Sequence, residues 1–294
     1  MKVVIADIRK DHLDQAMAYF KDKGAEAHAI QLDITDRKAY AEAADEIEKV
    51  YGAPPQLVIQ TAGVNTFGPA EASTFADYDW VVGVNLGGVI NGMVTFVPRM
   101  IKAGVPGHIA VTASWGGMMG GAITAPYSAA KAAVINLCES YYLALRPYNI
   151  GVTVLCPENI KSNIFEAVKT RPEDMQDTGY NVTQETIDFL REFHSHGMEP
   201  RELARWLKEA IENNQLYCVP YDNAIEKLRA EFDKKIKYAS PEGMRQLEEE
   251  ARKGAESMKR MKEEVEASGG TMEFKDVGFG KAKKDLDWVD PSKK

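Results

Sequence analysis

Two side chains that could together take a proton from an alcohol lie near the middle of this sequence. Tyr127 and Lys131 are four residues apart, so on a helix they share one face and are separated by one turn. A free phenol has a pKa of about 10 and is a weak base at neutral pH. A lysine cation held beside the phenol is expected to lower that pKa by stabilising the phenolate. Ser114, which ends the preceding strand-like run, could donate a hydrogen bond to the same alcohol oxygen.

The spacing of this tyrosine and lysine is weak evidence when taken alone. The chain has 12 tyrosines, and Tyr19 with Lys23 repeats the spacing on what reads as a solvated helix. The context is more specific, because Ser114 precedes Tyr127 at the end of an apolar strand and Asn85 lies on an earlier helix. Simpler roles stay open: Asn85 as a helix amide bonded to backbone, and Ser114 as a cap at a strand end.

Composition limits the classes of protein to consider. The 294 residues are 45% hydrophobic and 27% charged, which fits one large globular domain with or without an appendage. The net charge of −8 argues against a nucleic-acid partner. The three cysteines form no Cys-x-x-Cys pair, and their odd number fits a reducing compartment. The apolar stretch 81–97 contains Asn85 and Asn91, so we expect a buried helix, no membrane span and a cytoplasmic protein.

The order of the predicted elements indicates an α/β fold with a doubly wound parallel sheet. Strand-like runs alternate with amphipathic stretches such as 11–23, 36–50 and 200–212. The strand-like runs are 3–6, 27–32, 57–60, 109–112, 152–155 and 216–219. Ligands of such sheets bind beyond the carboxyl ends of the strands, which is where Asp7, Asp33, Gly63 and Ser114 fall.

Together these residues resemble the short-chain dehydrogenase/reductase family over about residues 2–220. The resemblance implies a Rossmann-like domain over 1–220, followed by a charged helical extension over 221–294. It also implies four catalytic roles. Ser114 would hold the substrate oxygen and Tyr127 would be the acid/base, while Lys131 would bind the nicotinamide ribose and Asn85 would hold a water for proton relay.

The same resemblance implies a set of contacts to a nicotinamide cofactor. Asp7 would accept hydrogen bonds from an adenosine ribose and repel a 2′-phosphate, which favours NAD, although Arg9 is near and Asp7 could instead cap a helix. Asp33 and Ile34 resemble the adenine-contacting pair, and small residues at Ala62 and Gly63 allow close approach to the backbone. The further expected cofactor contacts are Tyr127, Lys131, Pro157, Ile160 and Ser162. Gln60 and Thr61 depart from the family pattern, as does Glu158, which replaces a glycine.

No glycine-rich turn precedes Asp7, so the family pattern begins at its second strand. We expect an N-terminally truncated Rossmann-like sheet in which two inner strands have unpaired edges. A mis-assigned start or a fragmentary sequence is the preferred interpretation, and a natural truncation that has lost cofactor binding is the rival.

The last third of the chain combines an irregular segment with a charged one. Residues 162–197 read as polar and irregular, where the family carries a substrate lid. Residues 222–265 read as solvated helices and 266–294 as flexible. Four lid residues either line an aromatic pocket or pack the lid: Phe165, Tyr180, Phe193 and Met198. His194 and His196 read as surface residues, and no metal is predicted.

Three strings resemble one subgroup, the bacterial Cα-dehydrogenases of lignin-derived β-aryl ethers: 61–69, 91–101 and 159–164. The resemblance implies NAD-dependent oxidation of a secondary, benzylic aromatic alcohol to a ketone (EC 1.1.1.-) by a homodimer or homotetramer. Trp115, Met118 and Met119 could form an aromatic-binding wall or ordinary core. The alternatives are an NADP-dependent carbonyl reductase and a non-catalytic truncated homologue that acts as a binding protein.

Overall fold

The computed structural model describes residues 2–267, and the chain forms two compact units that divide between Val219 and Pro220. The described strands are β1 (Val4–Asp7), β2 (His28–Gln31), β3 (Leu57–Gln60), β4 (Gly107–Thr112), β5 (Ile150–Leu155) and β6 (Tyr217–Cys218). The described helices are α1 (Lys10–Asp22), α2 (Arg37–Tyr51), α3 (Phe75–Val82), α4 (Gly88–Ala103), α5 (Ala125–Leu145), α6 (Gln184–Ser195), α7 (Pro200–Glu212), α8 (Ala224–Tyr238) and α9 (Pro241–Ala267). The predicted tail beyond residue 267 lies outside the described residues.

The first unit is an α/β fold in which every described strand pair is parallel, as predicted. The strands form two groups, β2 beside β1 and β3-β4-β5-β6. Among the described residues, β1 pairs only with β2, and β3 only with β4. The expected break between these two inner strands is therefore present. Leu57 and Ile59 on β3 remain 39% and 47% exposed, which is unusual for apolar side chains of an inner strand.

The core of the first unit lies between the sheet and the helices that cover it. Val152 and Val154 on β5 and Val134 and Cys138 on α5 are completely buried in one cluster. Asp36 caps α2 by accepting hydrogen bonds from the first backbone amides of that helix. Cys138, Cys156 and Cys218 are buried free thiols.

Phe75–Ala103 forms one helical run of 29 residues that is long and apolar enough to cross a membrane. Of its most apolar stretch, with a mean hydropathy of 1.6, 56% is buried within the fold. Trp80 and Met93 are almost completely buried. This burial is typical of a core helix and agrees with the prediction for 81–97.

The segment that follows β5 is more regular than predicted. Two short 3₁₀ turns, Ile164–Thr170 and Glu173–Met175, precede the α-helix α6. Thr183 caps α6 by accepting a hydrogen bond from the Thr186 amide, and Leu190 is the buried contact of the helix. The prediction of an irregular 162–197 was wrong for α6, where Ile187, Leu190 and Phe193 recur at helical spacing within an otherwise polar stretch.

The second unit contains α8 and α9 among the described residues. Both helices are rich in charge, as predicted for 222–265. Most described ion pairs of α9 join neighbouring turns, for example Lys253 with Glu249 and Arg252 with Glu256, while Glu250 pairs with Lys237 of α8 at 3.5 Å.

Candidate active site

Tyr127 and Ser114 come together because a strand end and a helix start meet at the carboxyl edge of the sheet. A single residue separates Ser114 from the end of β4. The Ser114 hydroxyl accepts a hydrogen bond of 3.1 Å from the Gly116 amide. Tyr127 lies in the first turn of α5, just after Pro126, which suits a helix start. The Ser114 hydroxyl lies close enough to the Tyr127 phenol to lower the pKa of that phenol. The two side-chain oxygens therefore face one region of the site.

Lys131 lies one turn further along α5, below the phenol. Its Nζ is 5.6 Å from the centroid of the Tyr127 ring and donates a 2.8 Å hydrogen bond to the Thr112 carbonyl. Only 3% of this lysine is exposed. Tyr19 and Lys23 reproduce the geometry at 5.8 Å, but both are open to solvent. Burial and the presence of Ser114, rather than spacing, distinguish the two pairs.

The protonation balance of the pair differs from the sequence-based expectation. Burial raises the pKa of Tyr127 above its ordinary value, and the hydrogen bond from Ser114 lowers it by less. Burial also lowers the pKa of Lys131 to about 8. The expectation that Lys131 lowers the pKa of Tyr127 is not met in this structure, because burial of the phenol is the largest influence and raises that pKa.

Asn85 is completely buried in a π-helical turn, Gly83–Gly87, between α3 and α4. Its Oδ1 accepts a 2.8 Å hydrogen bond from the Val64 amide, and its Nδ2 donates one of 2.8 Å to the Val64 carbonyl. The side chain therefore fastens the loop after β3, which is the simpler of the two roles considered above.

A cavity of about 380 Å³ opens beside these residues at the ends of β1, β2 and β3. It is lined by five of the predicted cofactor contacts: Asp7, Asp33, Ile34, Ala62 and Gly63. The volume falls within the range of about 300–1,000 Å³ that is usual for cofactor and ligand pockets. Oδ1 of Asp7 accepts a hydrogen bond from the Arg9 amide, while 37% of the side chain stays exposed.

Gly63 shows how closely the cavity floor approaches the catalytic lysine. A Cβ built on Gly63 would lie 3.1 Å from Oδ1 of Asn85 and 3.5 Å from Nζ of Lys131. A side chain would fill the space where the cavity meets Lys131. The residues present thus fit a nicotinamide dinucleotide, with an acidic group at the β1 end and a bare backbone beside the lysine.

Three of the remaining predicted contacts, Pro157, Ile160 and Ser162, lie in the loop after β5, and neither these three nor Tyr127 and Lys131 line the cavity. Pro157 is buried and its carbonyl accepts a hydrogen bond from the Trp115 amide. Ile160 forms a parallel bridge with Met198, and Ser162 is exposed. Glu158, which stands where the family has glycine, is not among the positive-φ residues of the described chain, so this turn accommodates a side chain.

The four lid residues do not line the cavity either. Tyr180 is completely buried and its hydroxyl lies 2.5 Å from that of Ser73, so it packs the lid. Phe165 lies under the Arg191 guanidinium, and Phe193 is 51% exposed. His196 is exposed as predicted, but the prediction for His194 was wrong: it is half-buried and bonds to Asn159.

Sequence analysis missed several residues around the cavity. Trp80, Met175 and Glu166 line it, and Arg171 forms a buried ion pair with Asp77 close to them. They come from α3 and from the segment after β5, far apart in the chain. No local motif marks them, since their proximity depends on the tertiary fold.

Comparison with known proteins places this geometry in a family. A family model described as short chain dehydrogenase matches residues 1–173. The C alpha-dehydrogenase of Sphingobium sp. (strain NBRC 103272 / SYK-6) is 51% identical over 250 residues, which cover 83% of this chain and 82% of that protein. The chain belongs to the short-chain dehydrogenase family.

Solved short-chain dehydrogenase structures agree with this assignment. The apo form of LigD from Sphingobium sp. strain SYK-6 is similar with a TM-score of 0.67 and 45% identity, over 82% of this chain and 87% of that chain. A short-chain dehydrogenase from Burkholderia phymatum in complex with NAD is similar with a TM-score of 0.72 and 28% identity, over 78% and 83% of the two chains. The predicted resemblance to the family and to the subgroup is thus confirmed. The chain has an oxidoreductase fold and is related to a Cα-dehydrogenase.

Proposed function

We propose that this protein is an NAD-dependent alcohol dehydrogenase that oxidises a secondary benzylic alcohol of a lignin-derived aromatic compound to a ketone. The observation that carries the proposal is the proximity of Ser114 and Tyr127 beside the buried Lys131. This constellation lies beside a cavity with an acidic residue at its far end. A proton acceptor for an alcohol and a dinucleotide-sized cleft are the two requirements of the reaction.

In the proposed mechanism Tyr127 takes the proton of the alcohol hydroxyl. Ser114 donates a hydrogen bond to the same oxygen and so stabilises the carbonyl that develops there. Tyr127 must accept this proton as a phenolate, whose negative charge the ammonium of Lys131 offsets until the proton arrives, because both groups are buried and poorly screened. A bound nicotinamide would accept the hydride released from the carbinol carbon.

The choice of NAD over NADP rests on the charges at the end of β1. Asp7 presents a carboxylate to the cavity and would repel a 2′-phosphate. Arg9, the cation that could offset it, is already engaged: its guanidinium pairs with Asp11 at 2.6 Å and with Glu166 at 3.0 Å. The neighbouring arginine is therefore a weak candidate for binding a phosphate.

The substrate class rests on the relatives and on the cavity walls. A C alpha-dehydrogenase is among the most similar relatives, at 51% identity. Trp80 and Met175 give the cavity an apolar wall on the side of the catalytic residues. Trp115, Met118 and Met119 remain candidates for a second wall, since all three are half-buried.

Assembly and location follow as parts of the same proposal. We expect a homodimer or homotetramer, because Val94 on α4 and Leu143 on α5 leave 61% and 64% of their apolar surface exposed. Three free cysteines fit a cytoplasmic protein, and residues 1–220 and 221–294 would be its catalytic domain and extension.

The test is a titration of the folded chain with NADH, followed by tryptophan fluorescence. Trp80 lines the cavity and would report binding directly. Saturable binding followed by reduction of NAD with benzylic alcohols supports the proposal. A clear preference for NADPH would favour the carbonyl reductase, and a folded chain that binds neither cofactor would favour the non-catalytic binding protein.

A further inference from the structure

A buried ion pair joins the segment after β5 to helix α3. Nη1 of Arg171 lies 2.7 Å from Oδ1 of Asp77, and the two side chains are 3% and 0% exposed. The guanidinium also donates to the carbonyls of Met175 and of Asp177, the latter at 2.8 Å. Its carbon lies 5.1 Å from the ring of Trp80. The Arg171 side chain thus contacts a carboxylate, two backbone carbonyls and the face of an aromatic ring.

The partner carboxylate is fixed from its other side. Oδ2 of Asp77 accepts hydrogen bonds from the Thr74 amide at 2.9 Å and from the Thr74 hydroxyl at 3.1 Å. This is a capping box at the start of α3, so the carboxylate cannot rotate without unwinding that helix end. Arg171 is therefore bound to a rigid element.

One of the two carbonyls that Arg171 holds belongs to Met175, which packs against the same apolar cluster as Tyr127. This cluster is formed by Val64, Trp80, Val81 and Ala167. Trp80 and Met175 also line the cavity. The position of this apolar wall beside the phenol consequently depends on where Arg171 fastens residues 171–177.

The residues on the C-terminal side of Arg171 are held more firmly than those on its N-terminal side. Tyr180 is completely buried against Gly68, where a Cβ would collide with its ring. On the N-terminal side, Glu166 pairs with Arg9 and Lys169, and each of these three side chains is at least 20% exposed. Exposed pairs contribute little, whereas breaking one partner of a buried pair is strongly disruptive.

We propose that Arg171 is a positioning residue that, through Asp77, holds residues 171–177 on α3 so that Met175 and Trp80 form the wall that orients an alcohol substrate beside Tyr127. The inference rests on the proposed function and names the residues that set its substrate geometry. A buried ion pair is a poor source of net stability, so its value here is the fixed geometry it imposes.

The test compares Arg171→Met with the parent in two assays. The first measures the KM and kcat for a benzylic alcohol and the Kd for NADH. We expect the alcohol KM to rise at least about tenfold while the Kd for NADH changes less than about threefold, because the wall touches the substrate side. Arg171→Lys keeps the charge opposite Asp77 but cannot reach both carbonyls, so partial recovery of KM is expected.

The second assay measures cleavage after Glu173 by a glutamate-specific protease. In Arg171→Met the cleavage rate should rise at least about tenfold, since the segment loses its buried anchor. The control is Arg99→Met, which removes a cation that pairs with Asp45 and Glu48 on α2, away from the cavity. This control should match the parent in both assays.

The outcomes separate the two proposals. A parent that oxidises no alcohol contradicts the proposed function, and the protease assay still decides whether Arg171 anchors the segment. An unchanged alcohol KM in a variant that is cleaved faster would overturn the positioning role. If Arg171→Met does not fold, Met175→Ala removes the wall with the anchor intact, and an unchanged KM there would overturn the inference equally.

Discussion

Replacing Lys131 by methionine should abolish turnover and yet leave the folded protein at least as stable at neutral pH. Burial lowers the pKa of this lysine from 10.5 to about 8, a difference of about 2.5 units. At about 1.36 kcal/mol per unit, keeping the ammonium buried and charged below pH 8 opposes folding by about 3 kcal/mol. The lost hydrogen bond to Thr112 offsets about 1.5–3 kcal/mol of that gain. The net change at pH 7 is therefore a stabilisation of about 0–2 kcal/mol.

The pH dependence is the sharper part of this prediction. Between pH 8 and 10.5 the unfolded lysine still binds its proton while the folded one has released it, so the parent gains stability as the pH rises. Methionine has no such dependence. The stability of the parent minus that of Lys131→Met should therefore increase by about 2 kcal/mol between about pH 7 and pH 9.5. Urea unfolding at both pH values measures the difference.

Lys23→Met is the matched control, because Lys23 has the same spacing to Tyr19 but is exposed. Its effect on unfolding should stay within about 0.5 kcal/mol at both pH values. If the stability of the parent minus that of Lys131→Met stays constant or falls as the pH rises, the assignment of a destabilising buried ammonium is refuted. Turnover equal to the parent would refute its role in the reaction.

The remaining predictions concern the phenol, the cofactor end and the cavity floor. Tyr127→Phe should lower kcat at least about 100-fold with little change in NADH affinity, and Tyr19→Phe should have no effect in the same steady-state assay. Asp7→Ser should weaken NADH and improve NADPH, shifting their Kd ratio by about tenfold or more, as measured by fluorescence titration. Gly63→Ala should fold but lose cofactor affinity, because the added Cβ would lie 3.1 Å from Oδ1 of Asn85 and next to Lys131. Unchanged NADH binding would contradict the proposed path of the cofactor.

Local patterns made the sheet and the catalytic positions predictable. Strands such as β3 and β5 are short apolar runs, and Tyr127 with Lys131 is a spacing within one helix turn. The ion pair of Arg171 with Asp77 could not be found this way, because 94 residues separate the partners and each has ordinary polar neighbours. The helix α6 was missed although Ile187, Leu190 and Phe193 recur at helical spacing, because polar and charged residues dominate the stretch around them.

The electrostatics of the site were unpredictable from sequence for a physical reason. Tyr127 and Lys131 have the same spacing as Tyr19 and Lys23, yet only the first pair is withdrawn from water. Burial raises the pKa of Tyr127 and lowers that of Lys131, so each charged form alone is disfavoured. A phenolate beside an ammonium is less disfavoured than either ion alone, because the two charges attract strongly where water is scarce. The pair is therefore suited to hold a proton until an alcohol oxygen and the Ser114 hydroxyl are in place, and then to exchange it without a free charge standing in the site.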